Sequence, residues 1–396
     1  MEIRNQIKKH LDMFCNEIGA RPTGSEENHR AVAYACEEFA RAGLKVSKQE
    51  FDCMDWTIER NKAESGGILM VGDQSIPTAP APYSLPCSVR GELICVHSLE
   101  ELRTATLAGK IVVLCDAVAS EPLMPKSFVF WNPDEHKEII SLLEHGEVQA
   151  VITVSLSSEC LIPIIEDGDF EVPCAIVFPE SLPKLSGGSY ASLTLFTERR
   201  PAKAANVIAE YGSGNQKVCF SAHIDTKPGT RGALDNASGT AVLLALAGEL
   251  SGREFPFRIE FVLFNGEDYY SNPGEMAYMA SHLSAPADYA YAFNIDGVGV
   301  KEQKLAYSFY ECPEKLTNKI SESAAKAGGE SFVQMEPWPQ GDHTLFAVSG
   351  VPAVSVTSGG IFELVDSVIH TDADKPELLD VEKLALLVDF LLCSIE

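Results

Sequence analysis

The sequence predicts an α/β domain with a mixed, largely parallel central sheet and an inserted β-rich domain, and three observations lead there. From residue 199 to the end, apolar runs of strand length alternate with segments of helical period, the pattern of a sheet covered by helices. Residues 1 to 56 have the same texture. Over 57 to 198 it gives way to short β-like runs punctuated by Pro and Gly. The texture thus marks off 57–198 from 1–56 and from 199–396. A chain of 396 residues with 45% hydrophobic content can supply both cores, at about 100 to 200 residues per domain.

Each element has its own signal. Ile3, Ile7, Leu11 and Phe14 recur at helical spacing, the loop GARPTGSEEN follows, and Val32, Ala35, Cys36, Phe39 and Ala40 repeat the pattern until Gly43. LKVSKQEF alternates as a strand. In the insert, GGILMVG, PTAPAPYSLP, GELICVHS, GKIVVLCDA, VQAVITVSL and VPCAIVFPE read as short β runs. Beyond it, VCFSAHID is a strand, Asn236 to Leu250 a helix, RIEFVLFN a strand, Pro273 to Leu283 a helix and YAYAFNID a strand. CPEKLTNKISESAAKAG is a helix, VPAVSVTS a strand and VEKLALLVDFLLCSI a closing helix.

Composition removes several function classes. A formal net charge of −26 leaves no basic face for a nucleic-acid backbone or an anionic membrane, and weakly favours cationic or amino-terminal ligands. No apolar run reaches the ~20 residues of a membrane span. The opening MEIRNQIKKHLDMFCNEIGA is charged and amphipathic, unlike a signal peptide. Eleven scattered cysteines without a CxxC pair fit reduced core thiols better than a disulfide framework or a thiolate zinc site. The expected compartment is the cytoplasm.

In an open α/β sheet, ligands sit outside the carboxyl ends of the strands. Here VCFSA ends at His223 and Asp225, the next loop reaches Asp235, FVLFNG ends at Glu267 and Asp268, YAFNI ends at Asp296, and VIHTDADKPE holds His370. Each has a bland reading. A lone histidine at a strand end is more often a hydrogen-bonded loop residue, Asp235-Asn236 reads as a helix N-cap, and the other pairs read as solvated turns. Together they require several coincidences to point into one crevice. Clustered carboxylates also need a cation, since one of them otherwise stays protonated. Histidine and carboxylate ligands without cysteine suit zinc or a related divalent ion in a catalytic site, and a bridging carboxylate can hold two ions.

The series HID at 223–225, GALDNASG at 232–239, ED at 267–268, NIDG at 294–297, GDH at 341–343 and HT at 370–371 resembles the signature of the co-catalytic zinc aminopeptidases. That group includes bacterial leucyl aminopeptidases, glutamate carboxypeptidase, glutaminyl cyclase and the catalytically inactive transferrin receptor. The resemblance covers roughly residues 1 to 55 and 200 to 396. LAGKIVVL and EVPCAIVF more weakly resemble a protease-associated domain, and the resemblance implies one catalytic domain from 1–56 and 199–396 with that domain inserted at 57–198. The likeness implies a three-layer zinc-exopeptidase fold, with His223 and Asp296 on one zinc, Asp268 and His370 on a second, Asp235 bridging them, and Co²⁺ or Mn²⁺ as substitutes. It implies Glu267 as general base, Asp225 fixing the His223 tautomer, and a cis bond between Asp235 and Asn236.

The implied activity is release of N-terminal residues from peptides. The partner is a peptide with a free amino terminus, and a homo-oligomer is left open. A carboxypeptidase or small-amide hydrolase on the same centre is one alternative, with Arg231 anchoring a carboxylate. A non-catalytic interaction protein like the transferrin receptor is the other. Three positions depart from the pattern: Asp268 replaces the usual Glu, Ile369 the tyrosine often preceding the last histidine, and Gly341 a serine. His343, Tyr269 or Tyr270 would then supply the oxyanion donor, or the metals alone suffice. Asp342 and His343 are either substrate contacts or a helix N-cap pair.

Overall fold

The computed structural model describes residues 2–365 and 367–396. The chain divides into two compact units, Met1–Cys53 with Ala202–Glu396, and Met54–Pro201.

In the first unit, strands β1 (Lys45–Ile58), β2 (Thr197–Tyr211), β3 (Lys217–His223), β4 (Arg258–Phe264), β5 (Tyr289–Ile295), β6 (Leu305–Tyr310), β7 (Phe332–Gln334) and β8 (Ala353–Ser358) form one sheet. Its order is β1-β2-β4-β3-β5-β8-β6-β7. Pairs β4·β3, β3·β5 and β5·β8 are parallel, whereas β2·β4 and β6·β8 are antiparallel. The chain leaves β3, pairs β4 on one side of it and then crosses to place β5 on the other. That reversal is the topological switch point where such sheets bind ligands.

Register fixes the site's geometry. Phe220 pairs with Phe261 and with Phe293, and the three rings run across the sheet at centroid distances of 5.6 and 5.3 Å. Phe39 packs on Phe261, and Phe390 on Phe293, so helices lock the aromatic row from above. This register also sets His223 opposite Phe264, and both strands end at one level. The helices are α1 (Ile3–Asp12), α2 (Glu26–Arg41), α3 (Ser238–Glu249), α4 (Pro273–His282), α5 (Glu314–Ala327), α6 (His343–Val348) and α7 (Val381–Ile395). Helix α3 is buried from Ser238 through Ala247, as its nearly uniform apolar sequence requires. Helix α2 starts at Ser25, whose hydroxyl accepts from the Asn28 amide, and α7 at Asp380, which accepts from Glu382.

Every strand and helix expected in this unit is present within a few residues. Four elements went unread: the full length of β2, and β6, β7 and α6. LAYSFY of β6 lacks flanking turn signals, β7 has three residues, and α6 six, too short for periodicity to register.

The second unit carries its own eight-stranded sheet. Segments Cys87–Val96, Ile111–Leu114, Ala150–Val154 and Cys174–Val177 pair in parallel, with antiparallel strands beyond them. All four residues of Ile111–Leu114 are buried, the texture of a strand covered on both faces. The β-rich expectation missed the helices Leu99–Thr104 and Asp134–His145, whose polar residues outnumber the apolar ones that bury. No helix among the described residues is long and apolar enough to cross a membrane. All the cysteines are free thiols.

At the amino end of β3, Lys217 Nζ lies 2.8 Å from Glu260 Oε2, both buried, with Tyr278 donating its hydroxyl to Glu260 Oε1 at 2.5 Å. The Lys217 ammonium also sits 4.1 Å from the Tyr289 ring centroid. Removing one partner of a buried pair strands the other charge. Lys217→Met is expected to destabilise the protein by about 3 to 5 kcal/mol in denaturant unfolding, and the Lys217→Met/Glu260→Leu pair to recover most of that loss.

Candidate metal centre

The carboxyl ends of β3, β4 and β5, together with the loop before α7, bring six of the expected residues together. His223 closes β3 and is fully buried, and Thr240 holds its carbonyl at 2.9 Å. Asp235 stands before α3, joined to Asn236 by a cis peptide bond. Asn236 Nδ2 donates to the Ile295 carbonyl at 2.9 Å, tying this turn to the end of β5. Gly239 permits the close approach, because a Cβ there would fall 2.3 Å from the same carbonyl oxygen.

Asp235 faces two ways. Its Oδ1 lies 2.8 Å from His223 Nε2, and its Oδ2 lies 2.9 Å from His370 Nε2. Asp296 Oδ1 is 3.6 Å from His223 Nε2, and Asp268 Oδ1 is 3.0 Å from His370 Nε2. Two groups result, His223 with Asp235 and Asp296, and Asp235 with Asp268 and His370, each with ligand atoms within 4.8 Å of one another. Asp235 belongs to both.

A cation fits these residues on two grounds. Both oxygens of Asp268 are buried without a hydrogen bond, and the one nitrogen near them, His370 Nε2 at 3.0 Å, is shared with Asp235, a costly state that a cation between these groups relieves. The donors are imidazole nitrogen and carboxylate oxygen without thiolate, the set of catalytic zinc sites. Asp225 stands behind His223 with Oδ1 3.6 Å from Nδ1, while its Oδ2 accepts from Thr23 Oγ1 at 2.8 Å and from the Asp268 amide at 3.2 Å. One carboxylate thus faces a histidine of one group and anchors the backbone of the other. The shorter Asp268 is brought within reach of His370 by this anchored backbone.

The electrostatics show the crowding. Burial opposes charge on His223, and Asp296, Asp225 and Asp235 outweigh it, so its pKa stands well above the usual imidazole value. Desolvation at His370 is likewise overcome by Asp268 and Asp235. Burial, then Asp268, Asp296 and Asp235, push Glu267 well above the usual carboxylate range. Asp296 is raised by burial, with Asp235 and Asp268 adding to it.

Glu267 lines a cavity with Asp235, Asp296 and His370, and the same cavity is walled by Trp338, Ile361, Phe362, Val365 and Ile369. His343 also lines it, with Nε2 3.0 Å from the Trp338 carbonyl and its ring 4.2 Å from that of Tyr310. A carbonyl partner calls for the Nε2–H tautomer, and burial lowers the His343 pKa to about 4, leaving Nδ1 as an acceptor. His343 is therefore no oxyanion donor in this arrangement. Gly341 covers Nδ1: its φ is +111°, and a Cβ would come 3.1 Å from that nitrogen.

The other expected substrate contacts are absent from the cavity lining. Arg231 is exposed and its Nη1 donates to Asn16 at 3.0 Å, so the carboxylate-anchor expectation loses its residue. Tyr269 is buried with its ring 4.3 Å from Tyr270. Asp342 is buried, and burial followed by Glu275 and Glu267 raises its pKa. Its side chain makes no cap to α6, so the N-cap reading of the GDH pair fails as well.

Sequence reasoning missed Arg21, Asp374, Glu275 and Trp338. Asp374 accepts from the amides of Leu234 and Asp235 at 2.6 and 3.1 Å. Glu275 is buried near Asp225 and, chiefly through burial, is pushed up to about 7. The signals were weak: Arg21 lies in a run that reads as a turn, and Asp374 in one of several acidic positions after His370.

Comparison with known proteins adds to this geometry. The profile of Peptidase family M28 matches residues 206–392. Aminopeptidase YwaD of Bacillus subtilis is 26% identical over 397 aligned residues, which cover 94% of this chain and 80% of that protein. Among solved structures, the zinc aminopeptidase BSAP from Bacillus subtilis has a TM-score of 0.76 at 20% identity, covering 99% of this chain and 94% of its own. The aminopeptidase of Aneurinibacillus sp. strain AM-1 has a TM-score of 0.74 at 20% identity, covering 99% and 93%. These structures share the α/β fold of this chain.

The raised pKa values set a pH dependence. A histidine whose folded pKa exceeds its unfolded value, about 6.5, contributes stability below that pH and loses it as pH rises through the folded value. The raised Glu267 and Asp296 act in the same direction. The share of the carboxyls is lost from about pH 4 upward and that of the histidines from about pH 6.5 upward, so the metal-free protein is expected to lose stability across that whole rise. Zinc displaces those protons, so its affinity should rise with pH and its addition should flatten the loss. Thermal unfolding at several pH values, with zinc and with chelator, checks both slopes.

Proposed function

We propose that the chain is a zinc metallo-aminopeptidase of peptidase family M28, whose profile matches residues 206–392, releasing the first residue of peptides. The observation that carries the reading is the shared carboxylate: Asp235 joins two cation-binding groups at a cavity whose wall also holds Glu267. The proposal assigns His223 and Asp296 to one zinc, Asp268 and His370 to the other, and Asp235 to both. Bound zinc lowers the pKa of water and polarises a carbonyl.

The chain's own groups do the rest. Glu267 takes the proton of the attacking water and returns it to the leaving amine, and its raised proton affinity without metal reflects its burial first and then the carboxylates around it. Asp225 keeps His223 in the tautomer that presents Nε2. Among the described residues lining the cavity there is no Lys or Arg to pair with a free carboxylate. This disfavours the carboxypeptidase reading. The presence of all five ligand positions and the base disfavours a purely non-catalytic interaction protein.

Trp338, Phe362, Val365, Ile361 and Ile369 support an apolar first side chain in the substrate. Occupancy by two zinc ions and a protease-associated character for residues 57–198 belong to the same reading. The free cysteines support a reducing, cytoplasmic location.

Glu267→Gln is expected to bind zinc as the parent does and to lose at least about 10²-fold in kcat, measured beside metal content; retained turnover would remove Glu267 as the base. Trp338→Ala should lower kcat/KM for leucyl and phenylalanyl reporters by about tenfold while changing an alanyl reporter less. An equal loss on all three would place Trp338 outside the specificity pocket.

A further inference from the structure

We propose that Arg21 and Asp374 clamp residues 231–235 between them and so position the Asp235 carboxylate, making both of them positioning residues for the metal centre. The inference rests on the di-metal reading of that centre. Both side chains are fully buried, and they come from opposite ends of the chain.

Asp374 grips the amide side of the segment. One of its oxygens accepts from the Leu234 N–H at 2.6 Å and the other from the Asp235 N–H at 3.1 Å. Arg21 grips the carbonyl side: Nη1 donates to the Arg231 carbonyl at 2.8 Å and Nη2 to that of Gly232 at 3.2 Å. The same guanidinium holds the end of β3, with Nε donating to the Ile224 carbonyl at 2.7 Å, and its backbone amide donates to Thr226 Oγ1 at 3.0 Å. The segment carrying the shared ligand is thus fixed against the strand that carries His223. Thr230 Oγ1 donates to the Thr371 carbonyl at 3.0 Å, tying the segment to the residue after His370.

Two buried charges are an expensive way to hold a loop, since each must be removed from water. Charged partners give shorter and stronger hydrogen bonds than neutral ones, and so narrower positions. Asp235 needs that narrowness. Its two oxygens must face two histidines at once, at 2.8 and 2.9 Å, and a rotation of the 234–235 backbone would withdraw one oxygen as it advanced the other. Asp374 follows His370 by four residues, so the loop supplying one ligand also aims the ligand that is shared.

The test is zinc calorimetry with a competing chelator on the full chain after metal removal, well below the unfolding temperature. Asp374→Asn is isosteric but presents one acceptor where two are needed, and Arg21→Lys keeps the charge but gives up the fork. Tyr291→Phe, which removes a buried hydrogen bond to the Ser394 carbonyl in the same unit, controls for general destabilisation. Expected are zinc affinities about 10- to 100-fold below the parent in the two clamp variants, with the control unchanged. Parent-like zinc binding in a folded clamp variant would overturn the proposal, and either variant that folds is sufficient to decide. A parent chain that binds no zinc would instead remove the di-metal reading itself, and the clamp's role with it.

Discussion

Asp235 presents one carboxylate oxygen to His223 and the other to His370, and the geometry of the whole crevice depends on keeping that side chain still. The two histidines come from distant parts of the chain, one at the end of a central strand and one in the loop before the last helix. Only a ligand shared between them joins their groups into one centre. The sheet supplies the coarse placement, since paired aromatics hold β3, β4 and β5 in register and bring their ends to one level. The fine placement comes from hydrogen bonds to the backbone around residue 235.

The second constraint is charge. Asp235, Glu267, Asp268 and Asp296 occupy one partly buried space, and a low-dielectric cluster of that sign is unstable by itself. Without a cation the burden falls on protons, and the raised values at His223, His370, Glu267 and Asp296 express it. On the proposed reading a cation would give the two adjacent carboxylates different tasks: Asp268, 3.0 Å from His370 Nε2, would coordinate, while Glu267 on the cavity wall would move a proton.

The groups that meet in the crevice were legible because strand periodicity located the carboxyl ends, and the motif residues stand within a few positions of those ends. Alternation of strands and helices likewise gave the sheet. The supporting residues were hidden for a physical reason. Arg21 and Asp374 act on backbone groups, which carry no sequence signature, across 210 and 140 positions of the chain. His343 was visible as a histidine, but its tautomer depends on the Trp338 carbonyl, which only the folded chain supplies. Arg231 looked available beside Asp235 in sequence and turns instead toward Asn16. Short elements such as β7 and α6 escaped because they span less than the window in which periodicity can be recognised.

Anomalous diffraction at the zinc absorption edge, from crystals of the zinc-loaded protein, tests the central claim most directly. The account requires two peaks about 3.5 to 4 Å apart with the Asp235 carboxylate between them, one also within ligand distance of His223 and Asp296 and the other of Asp268 and His370. A single peak, or a pair that Asp235 does not join, would contradict it.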